Sequence, residues 1–200
     1  MTEEKSTILL ILSRVLEYPD PPFFKGSSEM AKYMKEHLTS PVLQKELIKR
    51  LRPLYAMGLK ELQELYVETF DHKEKTSLYL TAHELGDSRK RGFALIQIQN
   101  LIVEAGFELM GKELADYIPM LLELLAVASE DENVGRLKGR LANAIHRIRT
   151  HLPDSNPYHQ VMDILMTYVF ESPSVEELAR WEYEREEADL DPLPYPMLYQ

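Results

Sequence analysis

Cysteine is absent from this 200-residue chain. That excludes disulfides, and it excludes any thiolate site for zinc, copper or an iron–sulfur cluster. Long apolar runs are missing too, and no stretch approaches the roughly 20 residues that a membrane span needs. The run from Ile8 to Leu12 is cut by Ser13 and Arg14 and follows the acidic opening Thr2-Glu3-Glu4. A secretory leader has a basic start and a longer apolar stretch, so a cytoplasmic protein with no direct membrane insertion is expected. Positive charge is in deficit. The formal net charge is −10, and residues 171–200 carry nine acidic side chains against two basic ones. Phosphate backbones require a basic patch, so nucleic acid is not an expected partner. A basic peptide or protein surface fits better.

What is present is helical periodicity. Ile8, Leu9, Leu12, Val15 and Leu16 form one apolar stripe. Pro19, Pro21 and Pro22 should end that helix, and Ser27 or Ser28 should cap a second one through Leu38. Ser40-Pro41 reads as a cap followed by a first-turn proline, opening a helix to about Arg52. A fourth helix is expected from Leu59 to Phe70, then a loop with one helical turn over 71–87. A long helix follows from Ser88 to about Phe107, with Phe93, Ile96, Leu101 and Ala105 among its apolar positions. Asp116 should cap the next helix, with Pro119 in its first turn. Val134, Leu137, Leu141, Ile145 and Ile148 predict a helix to His151, and Tyr158 to Phe170 the last core helix. Strand alternation is not evident. The fold class expected is all-α, a single-domain bundle over residues 1–170, with an acidic, proline-rich tail over 171–200. Within that tail, Val175 to Glu187 reads as an exposed acidic helix, and Asp189 to Tyr199 holds three prolines that rule out a helix or central strand.

Two segments imitate catalytic motifs. Gly106 to Lys112 has the G-x-x-x-x-G-K form of a phosphate-binding loop, but Glu113 stands where Ser or Thr should hold magnesium, and a helix precedes it instead of a strand. It leaves a nucleotide-binding regulator as an alternative. His83-Glu84-Leu85-Gly86-Asp87 resembles a zinc H-E-x-x-H with the second histidine replaced, which removes one ligand. No nucleophile motif is visible, so no catalytic residue is expected. Asp116 and Glu123, seven residues apart, should share a helix face.

The segment Leu65 to Gly92, LYVETFDHKEKTSLYLTAHELGDSRKRG, is richer in apolar side chains than a solvated loop requires, so it must pack or bind. It resembles the signature of the NarJ-type chaperones, the respiratory nitrate reductase delta subunits. Glu113 to Ala126, ELADYIPMLLELLA, looks like their second motif, and the tail DLDPLPYPMLY looks like their third. The family is similar to the broader TorD/DmsD group of redox-enzyme maturation chaperones. In that group the second motif carries an acidic residue followed by histidine; here the pair is Asp116-Tyr117, as in the NarJ branch.

The resemblance implies a non-catalytic, cytoplasmic, all-helical chaperone. It would bind the N-terminal segment of the nitrate reductase alpha subunit and hold it while molybdenum cofactor and iron–sulfur clusters are inserted, before membrane assembly. It would not stay in the finished enzyme, nor bind a cofactor stably itself. Cofactor-delivery proteins are further candidate partners, and a stably bound structural adaptor is a second alternative. The client-peptide site is expected on Tyr66, Phe70, Asp71, His72, Leu78, His83, Glu84, Arg89, Asp116, Tyr117, Leu121 and Glu123. Tyr66, Phe70, Tyr117 and Leu121 would be walls, and Asp71, Asp116 and Glu123 rim carboxylates for basic client side chains.

Overall fold

The structure, a computed structural model, describes residues 2–71, 73–109 and 113–189, with backbone only at 24, 25, 27, 28 and 189. Among these residues there are eleven α-helices and no strand, so the all-α expectation holds. His72, part of the Gly106–Lys112 segment and the proline-rich tail from residue 190 lie outside the described residues.

Helix α1 (Glu3–Leu16) starts at Thr2, whose hydroxyl accepts the Lys5 amide. The five residues expected to form its stripe, Ile8, Leu9, Leu12, Val15 and Leu16, are all buried, and Ile11 widens that face. Thr7 and Ser13 are buried too. A buried face this wide places most of the helix inside the bundle, with Arg14 left on its remaining polar side. The two hydroxyls satisfy themselves on the helix's own carbonyls, Thr7 on Glu3 and Ser13 on Leu10. Against α1 pack α8 (Ile118–Val127), α10 (Pro157–Tyr168) and α3 (Ser27–His37). Helix α9 (Glu132–His151) lies against α10, and the five residues predicted to make its stripe, Val134 to Ile148, are buried.

Several boundaries moved for physical reasons. Pro21 and Pro22 do not merely end α1. They open a short helix, α2 (Pro21–Lys25), where a missing N–H costs nothing, and Asp20 accepts the Phe23 amide in front of it. Helix α3 begins after Gly26 rather than at a serine cap. Helix α4 (Pro41–Ala56) runs through Pro53 instead of stopping at Arg52. Its last turn is held by burial, with Leu54 fully enclosed and Tyr55 stacked on Phe23 at 4.7 Å. Helix α5 (Leu59–Tyr66) passes into a π-helical turn, Val67–Asp71. The predicted loop then contains a 3₁₀ turn (Glu74–Thr76) and helix α6 (Leu80–Leu85). Helix α7 (Lys90–Glu104) ends at Gly106, where φ is +86°. The amide of Gly106 donates to Val103 and that of Phe107 to Ile102, the paired bonds of a Schellman end. Helix α11 (Val175–Asp189) packs on α6.

One polar clamp joins three elements. Arg50 on α4 and Arg149 on α9 both donate to Asp163 on α10, the latter at 2.8 Å. The central position of α1 sets the first prediction. Leu12→Ala, at a site with no exposed surface, should cost roughly 2–5 kcal/mol, read from urea unfolding followed by circular dichroism.

Candidate functional site

The π turn after α5 inserts one extra residue, a distortion that recurs at functional positions. It aims Phe70 inward and leaves Asp71 in solvent. Phe70 packs edge-on against Tyr66 and Tyr158, at 5.0 and 4.8 Å between ring centres. Behind them, the Thr69 carbonyl accepts the Thr76 hydroxyl, and the Thr69 hydroxyl accepts Asn156 Nδ2 at 2.9 Å. These bonds fix the turn to the 3₁₀ segment and to the start of α10.

Facing this turn is the stretch before α8. The Ile118 amide donates to Leu78 at 2.8 Å and the Leu80 amide to Asp116 at 2.9 Å, a short antiparallel bridge between Tyr79 and Tyr117. Tyr66 and Tyr117 then meet across the fold, with their hydroxyls 3.0 Å apart and both within reach of the Leu16 carbonyl. That carbonyl ends α1 and has no partner in its own helix. Burial raises the Tyr66 phenol far above its ordinary range and pushes Tyr117 up to about 12, so both remain neutral hydroxyls.

Between these elements lies an open cleft of about 880 Å³. Aromatic and apolar side chains line it: Tyr18, Tyr66, Phe70, Leu78, Tyr79 and Tyr117. Its rim is mainly acidic, with Asp71, Glu74, Asp87 and Glu113 against Lys73 and Arg91. Two of those charges are already engaged. Glu74 pairs with Arg185 of α11, and Arg91 lies 3.8 Å from Asp116. Tyr79 donates to Glu113 at 2.6 Å, holding a carboxylate beside the aromatic wall.

Of the expected site residues, Tyr66, Phe70, Asp71, Leu78 and Tyr117 line this cleft. Asp116 does not sit at its rim. It is fully buried, and it does not cap α8, whose cap is Tyr117. Its carboxylate instead accepts the amide and hydroxyl of Thr81, and its carbonyl accepts Leu80. Asp116 therefore closes the open N-terminus of α6 from outside that helix. The Thr81 hydroxyl in turn accepts Arg91 Nε at 3.0 Å. Leu121 is enclosed in the core rather than forming a wall. Glu123 is exposed and accepts the Ser13 hydroxyl at 3.1 Å, so it shares no face with Asp116. His83 is buried, with Nε2 2.6 Å from the Ser77 carbonyl. Glu84 grips Arg140 of α9 through two bonds of 2.7 Å, and Arg89 is exposed at the start of α7.

His83 and Glu84 are thus committed to structure. Among the described residues no group of three histidine or acidic side chains is placed to hold a metal. Gly106 serves as the left-handed stop of α7 and follows a helix, so the phosphate-loop reading loses the strand-to-helix context that it requires. Tyr18, Tyr79, Asp87, Arg91 and Glu113 were missed. The local signal for Tyr18 is an aromatic beside the Pro19–Pro22 stretch, and for Glu113 its place as the first residue of the second motif.

The described residues thus form an all-helical bundle that carries an aromatic, acid-rimmed cleft. Residues 35–154 match the model of the family described as nitrate reductase delta subunit, and the chain belongs to that family. The match includes the first two motifs and leaves the tail outside. The chain is similar to the nitrate reductase molybdenum cofactor assembly chaperone NarJ of Escherichia coli (strain K12). Identity is 35% over 131 residues, covering 65% of this chain and 56% of that one. It is also similar to the probable NarJ of Bacillus subtilis (strain 168), 26% identical over 166 residues, covering 82% and 89%. The probable chaperone NarW of Escherichia coli (strain K12) is 29% identical over 125 residues, covering 62% and 52%. The chain thus spans about half the length of the Escherichia coli relatives.

Two predictions follow from the buried polar groups. Asp116→Ala should cost about 3–5 kcal/mol, because it strips α6 of its cap and leaves Arg91 without its buried counter-charge. Thr81→Val should cost less, and urea melts of the two variants will rank them. Burial pushes His83 down to about 4 from 6.5, so the folded chain holds it neutral. Between those values the unfolded chain binds the proton and the folded one does not. Stability should therefore fall as pH drops from about 6.5 toward 4, and His83→Gln should flatten that part of the melting-temperature profile.

Proposed function

We propose that the chain is an assembly chaperone for the catalytic alpha subunit of a respiratory nitrate reductase. It binds the N-terminal segment of that subunit in the cytoplasm, while molybdenum cofactor and iron–sulfur clusters are inserted and before the enzyme docks at the membrane. It performs no redox chemistry and holds no cofactor of its own. What supports the reading is one coincidence. Two segments that resemble the family's motifs, Leu65 to Gly92 and Glu113 to Ala126, both contribute walls to a single cleft.

The chemistry of the cleft suits a basic amphipathic peptide. Aromatic walls accept apolar anchors spaced one helical turn apart. With Glu74 and Arg91 engaged inside the protein, Asp71, Asp87 and Glu113 outweigh Lys73 at the rim. Exposed pairs of this kind steer encounter and orientation more than they add affinity, which suits a chaperone that must release its client. Site residues therefore divide into Tyr18, Tyr79 and Tyr117 as contacts, and Tyr66, Phe70 and Leu78 as the packed floor. Phe70 is 3% exposed, so truncating it tests the floor's integrity rather than contact alone.

Calorimetry with a synthetic peptide of the alpha subunit's N-terminal segment tests this. Tyr79→Ala should weaken binding by roughly 1–3 kcal/mol if the ring is a central anchor. Glu113→Gln should slow association and reduce its salt dependence. Absence of binding at ~0.1 mM peptide, about the 5–6 kcal/mol level, would sink the proposal for this cleft.

A further inference from the structure

Helices α3 and α4 pack on each other across the short connection at residues 38–40. Between them opens an apolar groove of about 180 Å³, room for one side chain. Met34 and Leu51 make its sealed floor, Met30, Ala31 and Tyr55 its half-buried sides, and Ile48, 41% exposed, its mouth. The Tyr55 hydroxyl donates to Met30 Sδ at 3.1 Å, and the Tyr55 ring is stacked on Phe23, so this side is held from behind. Methionine walls adapt to differently shaped apolar groups. The groove has no lining residue in common with the aromatic cleft.

The charge around this groove is opposite in sign to that of the chain. Residues 27–56 carry six basic and three acidic side chains, in a chain of net charge −10. Two of the six cations are engaged within the surface, Lys32 with Glu36 and Arg50 with Glu46 and Asp163. The other four, Lys35, Lys45, Lys49 and Arg52, are exposed, and Arg52 lines the groove itself. At 100° per residue, Lys45, Ile48, Lys49 and Arg52 lie within about 100° of arc on α4. Lys35 stands one turn beyond Ala31 on α3. The remaining carboxylate, Glu29, lines the neighbouring hollow beside α1 and α2. The mouth at Ile48 is therefore ringed by cations.

We propose that the α3–α4 groove is a second docking surface, whose occupant is an acidic amphipathic helix of another protein. One apolar side chain enters between the two helices, and carboxylates beside it meet Lys35, Lys45, Lys49 and Arg52. A basic surface on an acidic chain steers such a partner to one place and one orientation. An anionic membrane is a poorer match. Helices that lie on membranes present tryptophan, phenylalanine or leucine outward. Helices α3 and α4 hold no tryptophan or phenylalanine, and Leu47, Leu51 and Leu54 are turned into the core. Because the cleft favours the opposite sign of charge, occupants of the two surfaces need not compete.

The test uses the full chain and a fluorescent peptide of about 15 residues, long enough to fold as a helix on contact. It carries glutamate on one face, and leucine with a single phenylalanine on the other. Anisotropy should show saturable binding that weakens as salt rises. Lys45→Glu combined with Lys49→Glu should weaken it roughly tenfold. Ile48→Ser, at the mouth, should weaken it several-fold, and both variants should keep the circular dichroism spectrum unchanged. Lys60→Glu, a reversal on the 90% exposed Lys60 side chain of α5, should leave affinity as it was. No binding at ~0.1 mM peptide overturns the proposal. So does equal loss in Lys60→Glu, which would make the attraction non-specific. Binding to phosphatidylserine vesicles in preference to the peptide, lost on reversal of Lys45 and Lys49, would overturn it too and assign the face to a membrane.

Discussion

The arrangement depends on one buried carboxylate. Asp116 has no exposed surface and sits where α6, α7 and the start of α8 meet. Its Oδ2 accepts the Thr81 amide and hydroxyl at the open end of α6 and brings Arg91 of α7 alongside. A six-residue helix is too short to persist alone, because nucleation is not repaid over so few bonds. Here the acceptors come from a neighbour in space, and α6 becomes a firm wall. Its cleft side carries Ala82 and Gly86, its other side carries His83 and Glu84, and α11 lies across it. Removing water from an ionised group is costly unless hydrogen bonds and counter-charge replace it, so this site specifies geometry more than it adds net stability.

The second constraint is the end of α1. Two tyrosine hydroxyls, from α5 and from the cap of α8, converge on the Leu16 carbonyl. The floor of the cleft is thereby tied to α1 in the bundle interior. Walls held this way are pre-organised, and a pre-organised surface loses little freedom when a ligand arrives. The exposed rim residue Asp71 lies outside that network, where its side chain can adapt to different sequences.

Sequence periodicity made most of the bundle legible, since α1, α9 and α10 announce themselves by apolar spacing. It failed where local signals were overridden by distant partners. Pro53 reads as a stop, but Tyr55 and Leu54 find burial that holds the turn after it. Asp116 reads as a cap, and it is one, for a different helix 35 residues earlier in the chain. No local rule identifies a capping partner across such a gap. The candidate site was legible as segments and not as roles. Aromatic density marked 65–92, but it could not separate Tyr79, which opens to the cleft, from Leu78, which is sealed. Nor could periodicity tell which apolar side of α7 faces the core, because the helix is apolar on more than one side.

The chain holds a single tryptophan, Trp181, on α11, with the Arg147 guanidinium 5.8 Å from its ring centre. Its fluorescence is therefore a local signal, set by how α11 sits on the body and not by the bundle core. Far-ultraviolet dichroism instead averages over every helix. Where the two transitions coincide, α11 melts with the bundle as one cooperative unit; where emission changes first, α11 is a separately opening unit with a stability of its own.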